Sequence, residues 1–199
     1  MIECPYFMEF YFIRDHRQKY RFFSSEPEKV ISIPVSRTKK AWELARKKLT
    51  LLPQRSLRQE QAFIRCLKVE EETIPVYHSG LRTEKRIRLR FSLFLYKQRS
   101  KHILMLIGET LLLPLSGLAA LLPGPNVAFA ALALLEITHW QALKGINRLG
   151  RKKHEFSVAP LFADWEEAVS LSQEDRYAEI LQGIETEHPL SGLRKILWK

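Results

Sequence analysis

Enzyme signatures are what this 199-residue chain most clearly lacks. There is no G-x-S-x-G elbow, no G-x-G-x-x-G, no Walker A loop and no H-E-x-x-H, so the common hydrolase, dinucleotide, nucleotide and zinc-protease chemistries have no carrier. The expectation is a non-enzyme with no cofactor, metal or catalytic residue. Cysteine is scarce. Cys4 and Cys66 stand far apart in neither C-x-x-C nor metal-ligand spacing, which excludes a disulfide framework and suits a reducing compartment. The start, Met-Ile-Glu-Cys-Pro-Tyr, has no basic region followed by an apolar run, and so reads as neither secretory signal nor Arg-rich transit peptide. No repeat, zinc-finger, KH, RNP or helix-turn-helix pattern occurs, and nucleic acid is not expected as a partner.

Basic charge is present in excess. The formal net charge is +10 and the mean hydropathy is −0.20, a balance that puts most of the chain in water. The charge is unevenly placed. From Leu81 to Lys101 eight basic residues face one acid, Glu84; Lys144, Arg148, Arg151, Lys152 and Lys153 follow with none; residues 155–199 turn acidic.

The expected fold is α+β and mostly helical: a small N-terminal β-hairpin with helices, a two-helix transmembrane hairpin and a helical C-terminal tail. Phe7–Ile13 and Tyr20–Phe23 pattern as a hairpin, with Phe10, Phe12 and Phe22 as core. Helices are predicted over 39–52 and 57–69, the latter capped by Ser56, with an extended piece at Thr73–His78. A basic helix starts near Leu81, with Ser79 as candidate cap, and runs on without a breaker. Ser172 is the candidate cap of a C-terminal helix, and a last short helix carries Leu193, Ile196 and Leu197. The expected regions are 1–80 (cytosolic α+β), 81–102 (basic juxtamembrane helix), 103–143 (hairpin) and 144–199 (basic linker and acidic helical tail).

The stretch 103–143 dominates the chain. Ile103–Leu122 and Val127–Leu143 are two apolar arms around Pro123, Gly124, Pro125 and Asn126, and the first has the length a bilayer-crossing helix needs. The turn is uncharged, and both outer ends are basic. The positive-inside bias then puts both termini in the cytoplasm, or in the matrix of a mitochondrion. Trp140, Lys101 and Lys144 are the expected interfacial anchors, and anionic lipids the expected partner.

Two carboxylates interrupt the arms. Glu109 lies 15 residues before Gly124 and Glu136 lies 12 after it, a height difference of about 4.5 Å at 1.5 Å per residue. His102 is seven residues before Glu109, and His139 three after Glu136, each on its neighbour's helix face. These four are candidates for a proton or ion relay. The bland alternative is that each glutamate reaches water or pairs with Lys101 or Lys144. One hairpin is too small for a transport path, so transport would require an oligomer or a separate carrier.

The run Thr110-Leu-Leu-Leu-Pro-Leu…Leu-Leu-Pro-Gly-Pro-Asn-Val127, followed by Thr138-His139-Trp140-Gln-Ala-Leu-Lys-Gly145, resembles the mitochondrial K⁺–H⁺ exchange-related family, most specifically over about residues 76–149. Pro123, Pro125, Asn126, His139 and Trp140 carry the likeness. The resemblance implies an integral membrane protein tied to potassium–proton homeostasis, without assigned catalytic residues. The N-terminus favours a bacterial member in an inner membrane, and a eukaryotic member would sit in the mitochondrial inner membrane. The function expected is accessory or regulatory to exchange. A membrane-anchored scaffold without a transport role is the alternative, and a soluble basic binding module a third.

Overall fold

A computed structural model describes residues 9–24, 54–118, 127–188 and 190–198. The predicted helix at 39–52 and the turn Pro123–Asn126 lie outside them. The described elements are β1 (Phe10–Arg14), β2 (Tyr20–Ser24), α1 (Gln54–Arg65), β3 (Thr73–His78), α2 (Glu84–Leu118), α3 (Val127–Leu149), β4 (Lys153–Val158), α4 (Pro160–Ser170), α5 (Glu174–Glu187) and α6 (Leu193–Leu197). They form two compact units. One holds the strands, residues 68–95 and the chain after Gly150; the other holds α1 and residues 96–149.

The first unit is built on a four-stranded sheet ordered β2-β1-β3-β4. β1 and β2 are antiparallel, while β1–β3 and β3–β4 are parallel. The two-residue period of β1 divides its side chains between two faces. Phe10 and Phe12 share one face with Phe22, and the start of α2 covers it: Phe10 stacks on Phe22 at 4.9 Å and Phe12 meets Phe91 edge-on at 5.3 Å. Tyr11 and Ile13 take the other face, buried with Phe162, Trp165, Ile184 and Leu197 of α4, α5 and α6. The turn between β1 and β2 closes on Asp15, fully buried, whose carboxylate accepts from the Arg17 and Lys19 amides and from Arg21. The Leu197 carbonyl accepts from the His16 amide at 2.8 Å, tying the last helix to that turn.

The second unit rests on the crossing of α1 and α3. Ala62 and Phe63 of α1 and Cys66 just after it are buried, as are Ala142, Leu143, Ile146 and Leu149 of α3. Gly145 lies against the α1 backbone, where any Cβ would overlap the Phe63 carbonyl. Glycine is required here for close approach, not for an unusual φ.

The expected transmembrane hairpin is overturned. The chain is mixed α/β, and among the described residues no helix is long and apolar enough to cross a membrane. Two physical causes mislead hydropathy. α3 packs on α1 through Ala142, Leu143, Gly145, Ile146 and Leu149, and Glu136, His139, Lys144 and Arg148 interrupt its apolar sequence. α2 begins as a basic amphipathic helix that covers the sheet with Ile87, Phe91 and Leu95, so only part of its 35 residues is apolar throughout. The small hairpin is also half of a larger sheet: the supposed linker after Lys144 is the end of α3 followed by β4. Ser79 caps nothing, since α2 starts at Glu84, and α5 follows Gln173 with no side-chain cap.

Candidate functional site

The second unit brings three of the four relay candidates together. His102 of α2 and His139 of α3 face one another with ring centroids 5.4 Å apart. His139 Nδ1 lies 2.7 Å from Glu109 Oε1, close enough for an ion pair when the ring is charged but not aligned as a hydrogen bond. Glu136 stands one step aside. Its Oε1 accepts from Thr110 Oγ1 at 2.9 Å, so it ties α3 to α2 through a hydroxyl and not through the histidines. Neither glutamate takes Lys101 or Lys144 as its hydrogen-bond partner here; Lys144 lies over the exposed Trp140 ring at 5.1 Å, a cation–π contact. Lys101 is half-buried beside His102.

Burial sets the electrostatics. His102 is 0% exposed and its ring meets Phe63 of α1 edge-on, while neither ring nitrogen has a hydrogen-bond partner among the described residues. An imidazolium there would lose its hydration without gaining an acceptor. Burial first, then the neighbouring His139 and Lys101, push the His102 pKa down to about 4. Glu109 Oε2 is likewise buried without a hydrogen-bond partner among the described residues. A buried, neutral imidazole thus stands beside an imidazole–carboxylate pair whose outer oxygen has no donor among the described residues. Among the described residues no three His, Cys, Asp or Glu side chains are arranged to hold a metal ion.

The first unit holds polar groups that the sequence did not single out. Glu166 of α4 is buried; it accepts from the Arg14 amide at 3.2 Å, and burial raises its pKa against the pull of Arg14. Next to it Trp165 Nε1 donates to the Arg14 carbonyl at 2.8 Å, so the pair secures the end of β1. His78 is buried too, and accepts from the Gly80 amide at Nδ1. An open groove of about 620 Å³ lies beside β4, and two of its cations are engaged: Arg88 pairs with Glu84 and stacks on Phe156, and Lys152 donates to the carbonyls of Val69 and Glu71. These groups read as architecture. A Glu beside a Trp in an amphipathic helix gives no sequence sign of being turned inward.

The family model described as "Mitochondrial K+-H+ exchange-related" matches residues 28–152, more than half of the chain. The chain belongs to the mitochondrial K⁺–H⁺ exchange-related family. The match includes α1, β3, α2 and α3, and therefore His102, Glu109, Glu136 and His139, together with Gly145 at the helix crossing. The family's name ties it to potassium–proton exchange and to the mitochondrion, the eukaryotic of the two settings expected from the sequence. No curated protein and no solved structure matches the chain.

Proposed function

We propose that the chain is an accessory, regulatory factor of potassium–proton exchange that lies on a membrane surface without crossing it. The observation that carries this reading is the exposed apolar side of the second unit. Leu104, Ile107 and Leu111 recur at helical spacing on α2 and are 71%, 54% and 69% exposed, and Phe129 and Ile137 of α3 are exposed as well. Side chains of this size left in water favour any apolar medium by about 25 cal/mol per Å² buried. Lys97 and Arg99 on α2, with Lys144 on α3, are exposed on the same unit, and the exposed Trp140 ring lies against Lys144. Apolar insertion beside cations suits a surface of anionic lipid.

Flotation of the full chain with phosphatidylglycerol-containing and with neutral vesicles tests the membrane part. Binding to the anionic vesicles, weakened by salt, is expected; equal binding to both or to neither contradicts it, and self-association without lipid binding assigns the apolar side to a second copy. Adding the chain to vesicles that already contain exchange activity tests the regulatory part. A factor changes the exchange rate, whereas a scaffold binds and leaves it unchanged.

A further inference from the structure

We propose that His102, His139 and Glu109 form a buried proton-binding centre that holds α2 against α3 while it carries one proton and releases them when it takes a second. The proposal is independent of the lipid reading, because it rests on contacts within the second unit and is tested in solution.

Charge and space decide the protonation of this group. With one proton shared between His139 and Glu109, 2.7 Å apart, and His102 neutral, the buried group has no net charge. A second proton bound by Glu109 would strip His139 of its counter-charge, and the same proton bound by His102 fares no better. It would place an imidazolium, 0% exposed and without an acceptor among the described residues, next to the ring of His139 at 5.4 Å. The groups around the ring offer little relief. On α2 the nearest cation, Lys101, opposes the charge. Glu109 already serves His139. On α3 Glu136 is held by Thr110. On α1 Phe63 meets the ring edge-on, and Glu60, one helical turn from Phe63, is buried. Parting α2 from α3 hydrates both imidazoles, so protons favour the open arrangement by mass action. Two polar links, His139–Glu109 and Glu136–Thr110, are what such an opening would break. In a chain tied to proton exchange, such a centre would report acidification.

The test uses the full chain in solution, with imidazole titration by NMR and amide hydrogen-exchange protection followed between pH 7.5 and 5. Protection in residues 102–112 and 132–143 is expected to fall by about tenfold or more as the pH drops, while β1 keeps its protection. His102→Phe, which fills the same space and cannot be charged, should retain that protection. Equal losses in both proteins would overturn the centre. Should His102→Phe fail to fold, His139→Gln decides: removing the neighbouring ring should move the His102 titration up toward the ordinary 6.5, and an unmoved midpoint would overturn the proposal.

Discussion

Gly145 and Gly108 are both helical glycines with opposite meanings. Gly145→Ala drives a methyl into the Phe63 carbonyl, and since the obstacle is backbone it cannot swing aside. Thermal or denaturant unfolding should show a loss of about 2–4 kcal/mol, the range of overpacked sites and broken contacts. Gly108→Ala has nothing within 4 Å of the new methyl. It should stabilise by about 0.5–1 kcal/mol through helix propensity alone, measured the same way. His102 gives a pH dependence with a definite sign. Its folded pKa, about 4, is below its ordinary 6.5, so the unfolded chain binds more protons between these values. The stability linked to the neutral ring is fully present above pH 6.5, falls progressively between 6.5 and about 4, and is gone below that. In full it amounts to on the order of 3 kcal/mol, and denaturant melts of the wild type and His102→Phe at pH 7 and 5 should diverge by roughly 2 kcal/mol, the part lost by pH 5. At this scale the sequence was informative about the polar residues in the apolar arms, because charge in such a setting stands out. It was silent on Gly145 and Glu166, whose roles depend on a neighbour far along the chain.

Among the elements, β3 and the β1–β2 hairpin were legible because branched and aromatic residues alternate there with turn residues between. β4 was not. Lys153-His-Glu-Phe-Ser-Val continues a basic run, and it becomes a strand because β3 offers a parallel edge whose register aligns Thr73 with Lys153 and His78 with Val158. A parallel partner needs a crossover, here the whole of α2 and α3, and no local pattern reveals such a pairing. α3 misled for a related reason: an apolar face that meets lipid and one that meets α1 look the same in sequence. The exposed face of α2 carries its own prediction. Leu104→Ser, Ile107→Ser and Leu111→Ser together should lower affinity for anionic vesicles by about a hundredfold in flotation or sedimentation, because each removes apolar area worth about 1 kcal/mol or more. They should leave unfolding nearly unchanged, since these side chains are already in water.

On the scale of the molecule, two compact units divide the labour. The sheet unit is an aromatic core closed by α4, α5 and α6, and it is the frame from which α2 departs and to which β4 returns the chain. The helical unit carries the histidines, the glutamates, the exposed apolar side and most of the family match. The resemblance was readable because its residues cluster in 110–145. The division was not, since each unit is assembled from separated stretches. The central claim is that this chain modulates potassium–proton exchange and does not itself conduct. The most direct measurement is potassium-driven proton flux in vesicles containing exchange activity, with and without the full chain, beside vesicles containing the chain alone. A changed rate is expected in the first comparison and no flux in the second. Exchange by the chain alone, or an unchanged rate on its addition, would contradict it.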